Sequence, residues 1–301
     1  MILRSAFRGG LVVAVVGGMS VSMGPQSSSL PPTLAAMIDT ERTFARAAAV
    51  NGVRAAFLEY FADDAVSFGA DPGRAKDGIL KWKPLPPSIL ELTWEPRYGD
   101  VAASGEWGYL TGPAIRTVHG EPPTGPVHVC YFTVWKKQAG GAYRVFIDLG
   151  ITIPAAAPFA AGFTRAGALA GFRTGGDGLP SLQQAERAFA DAARSAPIVD
   201  VYRQFLHSRA WMYRDQVMPL MSSAAALEWL EYQSTKTIAT DPLYAESATS
   251  ADLGFSYGRY ALTGAREVER GCYVRVWARD VRGTWHIAFE VTAPAPATEG
   301  H

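Results

Sequence analysis

The chain has 301 residues, of which 48% are hydrophobic and 19% charged, and its formal net charge is zero. This length and composition predict a globular protein with room for two domains and exclude a disordered chain. Lysine and arginine are scattered without a long basic run. Neither nucleic acid nor an anionic membrane is therefore expected as a main partner.

The first 26 residues have the layout of a secretory signal. Arg4 and Arg8 precede a short apolar run at residues 11–23, and a proline and three serines follow it. The run is too short and too rich in glycine for a good membrane span. We expect cleavage within residues 22–26, no stable membrane span after cleavage, and a periplasmic or secreted protein. An uncleaved anchor is the alternative.

The next segment predicts helices followed by strands. Apolar residues at three- and four-residue steps from Leu34 predict a helix that Gly52 ends, and a second helix is predicted to end at Asp63 and Asp64. Pieces of strand length then follow at residues 90–94, 100–104, 107–111, 127–136 and 143–152. Helices before strands within one unit predict the α+β class with an antiparallel sheet.

A second unit repeats the first. The predicted hairpin that begins at Cys130 recurs at Cys272, an offset of 272 − 130 = 142 positions. Residues 154–180 between the units are rich in alanine, glycine and proline, which is typical of a linker. We predict a tandem duplication with domains at 33–153 and 181–293 and a tail at 294–301.

The chain has two cysteines, and they occupy equivalent positions in the two units. In an oxidising compartment Cys130 and Cys272 could form a disulfide, provided that their strands meet near the axis that relates the units. The favoured interpretation is two thiols buried separately as small apolar side chains.

Both units resemble the SnoaL-like family, in the branch named domain of unknown function 4440 of the nuclear transport factor 2-like superfamily. The matching motifs of the first unit are at residues 41–44, 61–66, 94–96, 105–112, 131–136 and 148. Those of the second are at residues 186–189, 252–258, 273–277 and 290. Asp63 and Asp64, which match the family, are replaced by Ser208 and Arg209 in the second unit, so the two sites are not expected to be identical.

The resemblance implies two cystatin-like or SnoaL-like cones, each with three helices packed on a strongly curved antiparallel sheet and a pocket between. It also implies packing through the sheets, either within the chain as a pseudo-dimer or between chains as a homodimer. The histidines are scattered and no Cys-x-x-Cys, Walker or dinucleotide motif is present. No metal and no cofactor are therefore expected.

Three residues are candidates for acid-base chemistry. Asp148 lies in an apolar strand that would raise its pKa, and alternation predicts that it shares a face with Phe146 and Arg144. A structural ion pair between Arg144 and Asp148 is the alternative. In the second unit His286 and Glu290 are predicted to share a face and could move protons together.

The predicted pocket is otherwise aromatic. The candidate ligand-binding residues are Trp107, Tyr109, Tyr131, Trp135, Asp252, Phe255, Tyr273 and Trp277. Glu41 and Glu186 are predicted as carboxylates at helix starts, favoured there by the helix dipole rather than by a ligand.

These features predict an exported protein of two tandem cones that binds a small apolar organic molecule. One alternative is an isomerase, dehydratase or hydrolase-like enzyme that uses the three acid-base candidates. The other is a purely structural pseudo-dimer whose cones are filled by their own side chains. An open cone with inward-facing carboxylates would separate these functions.

Overall fold

A computed structural model describes residues 30–69, 71–120, 122–167 and 181–295. The predicted signal segment, part of the linker and most of the tail lie outside the described residues. Within the described ranges, no helix combines the length and the apolar character needed to cross a membrane.

The first half begins with helices, as predicted. Helix α1 (Pro32–Asn51) ends at Gly52, whose φ of 87° suits a residue without a side chain, and α2 (Val53–Tyr60) follows directly. The predicted end of the second helix at Asp63 and Asp64 is wrong, because both residues belong to strand β1 (Phe61–Phe68). The remaining elements are β2 (Pro72–Arg74), α3 (Ala75–Ile79), β3 (Leu90–Trp94), β4 (Tyr98–Val101), β5 (Trp107–Val118), β6 (Thr124–Lys137), β7 (Tyr143–Thr152) and β8 (Thr164–Arg165).

The strands of the first half form one sheet in the order β2-β1-β7-β6-β5-β4-β8, and β3 also pairs with β5. Most neighbours are antiparallel, but β1 runs parallel to β7 and β8 parallel to β4. The predicted linker therefore contributes a short strand to this sheet. Helices α1 to α3 with strands β1 to β7 are called the first cone below.

The second half has a similar order of elements, without a counterpart of β2 and with one strand, β10, in place of β3 and β4. Helix α4 (Leu182–Ala193) begins with a capping box in which Ser181 and Gln184 bond each other's backbone, and the elements that follow are α5 (Ile198–Phe205), β9 (Leu206–Arg214), α6 (Ser223–Tyr232), β10 (Thr237–Ser247), β11 (Leu253–Thr263), β12 (Val268–Arg279) and β13 (Trp285–Pro294). The sheet order is β10-β11-β12-β13-β9, with β9 parallel to β13. We call α4 to α6 with β9 to β13 the second cone. The α+β class with two cones of helices on curved sheets is confirmed; an origin by duplication stays a prediction.

The two sheets pack against each other through one apolar core. Phe132 of β6 stacks on Phe289 of β13 with ring centroids 4.8 Å apart, and Trp107 of β5 meets Phe255 of β11 edge-on at 5.0 Å. Cys130 and Cys272 are both buried free thiols, so no disulfide joins the sheets. Burial raises the pKa of the Cys130 thiol to about 12.

A bulge interrupts the last strand of each cone, β7 and β13, at the same place. In the β6–β7 pair Trp135 lies opposite Val145 and Val134 opposite Ile147, so Phe146 is an extra residue. In the β12–β13 pair Ala288 is extra in the same way. A single extra residue reverses the alternation of side chains beyond it, which decides which residues of β7 and β13 face the helices.

Candidate functional site

A buried glutamate from the first helix of each half lies at the centre of its cone. Glu41 and Glu186 have 0% and 1% exposure. The prediction that they sit at helix starts is wrong, because neither residue lies in the first turn of its helix. Both belong to the buried face, where an isolated charge would be costly.

In the first cone, three side chains donate hydrogen bonds to Glu41. The indole nitrogens of Trp94 and Trp135 lie 2.6 Å and 2.7 Å from its carboxylate oxygens, and the Thr133 hydroxyl lies 2.8 Å away. Burial raises the pKa of Glu41 to about 7, although the three donors oppose this shift. These three hydrogen bonds therefore fix the orientation of the Glu41 carboxyl group.

Asp148 lies directly opposite Thr133 in the sheet, on the same side as the helices. It is half-buried, and none of the described residues forms a hydrogen bond or ion pair with its carboxyl group. Burial, and then the nearby charge of Glu41, raise the pKa of Asp148 to about 8. Asp148 is thus mostly protonated near neutral pH and can donate a hydrogen bond.

Phe146 and Arg144, which were predicted to lie beside Asp148, have other neighbours in the structure. Because Phe146 is the bulged residue, it packs into the core between the sheets, 5.7 Å from the ring of Phe255. Arg144 lies before the bulge and donates a hydrogen bond to the backbone oxygen of Glu59 at 2.6 Å. The predicted shared face of Asp148, Phe146 and Arg144 is therefore wrong, and no Arg144–Asp148 ion pair forms.

Asp148 borders a small cavity, here called the inner cavity. Its volume is about 90 Å³, and it is lined by Phe57, Leu92, Trp94, Ala114, Val129, Tyr131, Asp148, Leu149 and Gly150. The Tyr131 hydroxyl is buried and has no hydrogen-bond partner among the described residues. Burial holds the pKa of Tyr131 well above its ordinary value, so its hydroxyl stays a donor. Two donors without partners thus border an otherwise apolar space.

A larger cavity, the outer cavity, also borders Asp148. Its volume is about 400 Å³, and it shares Phe57, Asp148, Leu149 and Gly150 with the inner cavity. The rest of its lining consists of Phe61, Ser67, Phe68, Ala75, Gly78, Ile79, Trp82, Ala293 and Pro294. The last two belong to β13, so the second half supplies part of the wall.

In the second cone an arginine occupies the position of Thr133. Arg275 lies directly opposite Glu290, as Thr133 lies opposite Asp148. Its guanidinium forms salt bridges with Glu290 and with Glu186, the latter at 3.0 Å, and all three side chains are at most 1% exposed. It also lies 3.8 Å from the ring centroid of Phe189. Arg275 therefore fills the space between the two carboxylates.

In this network the neighbouring charges outweigh the effect of burial on the pKa values of Glu290 and Arg275. Burial alone would raise the pKa of Glu290, but the charges of Arg214 and Arg275 hold it below its ordinary value. Burial would lower the pKa of Arg275, but Glu186 and Glu290 raise it well above its usual range. Glu290 is thus a paired, ionised side chain, and the Tyr202 hydroxyl donates to it at 2.7 Å.

His286 does not join Glu290. The bulge at Ala288 places them on opposite faces: Glu290 lies opposite Arg275 in the cone, whereas His286 lies opposite Ala278, which packs into the core between the sheets. His286 Nε2 is 3.3 Å from an oxygen of Asp280. The predicted shared face of His286 and Glu290 is wrong.

The predicted ligand-binding residues divide into groups. Tyr131 borders the inner cavity, and Trp135 binds Glu41. In the second cone, Tyr273 and Trp277 donate to Glu186 at 3.2 Å and 3.1 Å. Three others, Trp107, Tyr109 and Phe255, pack in the core between the sheets rather than at a cavity. Asp252 accepts a hydrogen bond from the backbone of Ala103 at 3.0 Å and so connects the two halves.

The sequence interpretation did not assign Glu41, Trp94 or Arg275 to a site. For Glu41 a signal existed, because it lies at helical spacing between the apolar residues Met37 and Phe44 and therefore belongs to the buried face. Arg275 alternates with Tyr273 and Trp277 along one strand, which places a charge on a face of large apolar side chains. Such a charge needs buried partners.

A third cavity of about 230 Å³ lies within the second half. Its lining includes the basic residues Arg214 and Lys236 and the acidic residues Asp215 and Glu269. Over the described ranges, no group of three or more His, Cys, Asp or Glu side chains is arranged to hold a metal ion.

No protein-family profile matches the chain, and no curated protein matches it. Several solved structures are similar to about two fifths of it. A ketosteroid isomerase-like protein from Erwinia carotovora shares 15% identity, covers 40% of this chain and 98% of its own, and has a TM-score of 0.33. An NTF-2 like protein of unknown function from Shewanella oneidensis shares 11% identity over 37% of this chain and 94% of its own, with a TM-score of 0.32.

A third structure is a domain of unknown function with a cystatin-like fold from Nostoc punctiforme. It shares 11% identity over 39% of this chain and 79% of its own, with a TM-score of 0.33. These three structures are named as NTF2-like, ketosteroid isomerase-like or cystatin-like, and each is similar to about two fifths of this chain. Identities and TM-scores this low carry no information about the chemistry of the site, which follows from the residues of this chain.

Proposed function

We propose that the first cone binds a small, largely apolar organic molecule, one oxygen of which accepts hydrogen bonds from Asp148 and Tyr131. The observation that carries this proposal is the buried Tyr131 hydroxyl, which has no partner among the described residues, beside an apolar cavity that the half-buried Asp148 also borders. Buried polar groups are nearly always bonded in folded proteins, so the Tyr131 hydroxyl is costly unless a ligand satisfies it. Ligand pockets typically combine apolar walls with a few placed polar groups.

The chemistry of the two donors narrows the ligand. A protonated carboxyl group and a phenol both offer a hydrogen to the same acceptor, so a carbonyl or hydroxyl oxygen fits better than an ammonium group. The second cone serves this site as a scaffold, since Ala293 and Pro294 wall the outer cavity. The finer assignment, an exported protein of two tandem SnoaL-like copies, rests on the sequence motifs and is part of the proposal.

A second candidate function is an isomerase or dehydratase in the first cone. It is favoured by the position of Asp148, which borders an apolar cavity and has a pKa near 8. A carboxyl group tuned close to neutral pH can both give and take a proton. Hydrogen bonds from Asp148 and Tyr131 to a carbonyl oxygen would also stabilise charge that develops there.

Binding is tested by calorimetry with hydrophobic ketones and alcohols on Tyr131→Phe, Asp148→Ala and the wild type. Alanine is used because an asparagine at position 148 would still donate a hydrogen bond. Each variant should weaken binding about tenfold, since one hydrogen bond contributes roughly 1–1.5 kcal/mol. The matched control is His286→Gln, which changes a polar side chain that lines neither cavity of the first cone and should leave the affinity unchanged. Equal affinities of wild type, Tyr131→Phe and Asp148→Ala would refute the proposal.

The enzymatic candidate needs its own readout. A bound ketone in deuterated buffer should exchange hydrogen at the carbon next to its carbonyl group, as followed by NMR. The exchange should be lost in Asp148→Asn while some binding persists. Binding without any exchange would leave the ligand-binding function and remove the enzymatic one.

A further inference from the structure

The two cavities of the first cone meet at Asp148. They share four residues, and two of these, Asp148 and Gly150, lie two positions apart on one strand. Tyr131 pairs with Gly150 across the sheet, which places the second donor on the inner side of this junction. A ligand oxygen that reaches both donors therefore lies between the two cavities and not at the far end of either.

We infer that the ligand is an elongated molecule whose oxygen lies in its interior, with a short apolar arm in the inner cavity and a longer arm in the outer cavity. This inference rests on the proposed function and specifies its class of ligand. Terminal alcohols and acids do not satisfy this geometry, because their oxygen has an apolar group on one side only. Compact ring ketones do not satisfy it either, because they have no extended arm.

The volumes set the length of the short arm. An apolar cavity of about 150 Å³ holds a benzene ring of six carbons, so 90 Å³ holds about three to four carbon atoms. A ring therefore does not fit the inner cavity. The outer cavity, at about 400 Å³, falls within the usual range for organic ligands.

The walls of the two cavities differ in chemistry. The remaining wall of the inner cavity is made of apolar side chains, among them Leu92, Ala114 and Val129. The outer cavity adds the hydroxyl of Ser67 and ends near Trp82, which is 45% exposed. The long arm can thus carry a ring or a polar end that reaches water, whereas the short arm is saturated hydrocarbon.

Calorimetry with a series of phenyl n-alkyl ketones, from methyl to heptyl, tests the inference, because the ring can enter only the outer cavity. Each added methylene should lower the Kd about fourfold until three or four carbons fill the inner cavity. Longer chains should then gain no further affinity, so the optimum is the shortest chain that reaches the lowest Kd. A Kd that falls steadily to the heptyl compound would overturn the inference.

Two variants locate the arms. Ala114→Val fills part of the inner cavity and should move the optimum to a chain one or two carbons shorter, with the methyl ketone unaffected. Trp82→Ala should weaken every member by a similar factor and leave the optimum in place. Thermal unfolding of each variant confirms that it folds.

The outcomes distinguish the two-arm ligand from the proposed function. An optimum that does not move in Ala114→Val, with binding still weakened by Tyr131→Phe and Asp148→Ala, overturns the two-arm ligand and leaves the proposed function standing. Binding that is indifferent to Tyr131→Phe and Asp148→Ala, or no binding of any member, overturns both.

Discussion

The two cones solve the same electrostatic problem in different ways. Each buries a glutamate from its first helix and faces a second carboxyl group on its last strand. The first cone pairs Glu41 with Asp148 and has Thr133 between them in the sheet register, whereas the second pairs Glu186 with Glu290 and has Arg275 at that register position. The charge on the buried carboxylates is removed by protons in one case and compensated by a cation in the other.

This difference accounts for the space beside the second carboxyl group of the first cone. The guanidinium of Arg275 occupies the space between its two carboxylates and stacks on Phe189 and Tyr273. Thr133 is small, and its hydroxyl bonds to Glu41, Trp135 and the backbone of Leu110 and not to Asp148, which leaves room beside Asp148. The ion-paired carboxylates gain rigidity, and the carboxyl groups without a cation keep shifted pKa values.

The largest expected effect comes from removing the cation. Arg275→Met leaves Glu186 and Glu290 buried without their shared partner, so we expect the free energy of unfolding to fall by about 3–5 kcal/mol. Urea denaturation at pH 7 measures this loss. The first cone should still bind its ligand wherever the variant remains folded.

The control for this variant removes the charges together. Arg275→Met combined with Glu186→Gln should recover part of the lost stability, because Glu186 then carries no charge and Glu290 keeps its salt bridge with Arg214. A loss below about 1 kcal/mol in the single variant would show that Arg275 does not compensate the two carboxylates.

The second expected effect is an opposite pH dependence of the two cones. Asp148 and Glu41 titrate near 8 and 7 in the folded chain, against 3.8 and 4.5 as ordinary values. The folded state therefore holds more protons between about pH 4 and pH 8, and their contribution to stability is lost as the pH rises through this window. The pKa of Glu290 is lowered, so its contribution is present above about pH 4.5 and is lost on acidification.

Asp148→Asn should flatten the decline in stability between pH 5 and pH 8.5 by about 1–3 kcal/mol, as measured by urea denaturation across this range. The matched control is Asp63→Asn. Asp63 is an exposed residue of the same cone whose bond to Lys76 lowers its pKa, so its removal should act only at acid pH. Parallel pH curves for the wild type and Asp148→Asn would contradict the assignment.

The fold was accessible from the sequence because its signals repeat and reinforce each other. The helix that Gly52 ends, the strand Leu90–Trp94 and the hairpin at Cys130 each follow from local periodicity and turn residues. Their recurrence in the second half makes a chance pattern improbable. The predicted extent of the second helix was wrong, since Asp63 and Asp64 are exposed residues of strand β1.

The contacts within the candidate site were harder to predict from the sequence than the fold, for a geometric reason. Strand alternation predicts faces only when no residue is inserted, and the bulges at Phe146 and Ala288 leave no clear trace in a run of apolar residues. Asp148 was identified by its apolar neighbours, but its contacts were not. The partnership of Arg275 with two glutamates required knowledge of which helix packs on which strand, and periodicity does not carry that information.

The smallest expected effect compares two tyrosines at the same place in the two cones. Tyr131 and Tyr273 lie on the equivalent strands β6 and β12, two residues before Thr133 and Arg275. The Tyr273 hydroxyl donates to Glu186 at 3.2 Å, whereas the Tyr131 hydroxyl is buried and unpartnered among the described residues. Without ligand, Tyr273→Phe should cost about 1 kcal/mol, and Tyr131→Phe should be neutral or stabilise by up to about 1 kcal/mol.

Thermal and urea unfolding of the two variants, measured side by side, show whether the tyrosine hydroxyl of each cone has a protein partner. An added excess of a ligand of the first cone should reverse the order: it should stabilise Tyr273→Phe as much as the wild type and Tyr131→Phe less. A loss of stability in ligand-free Tyr131→Phe as large as that in Tyr273→Phe would mean that the Tyr131 hydroxyl already has a partner. The inner cavity would then lack one of the two donors on which its function depends.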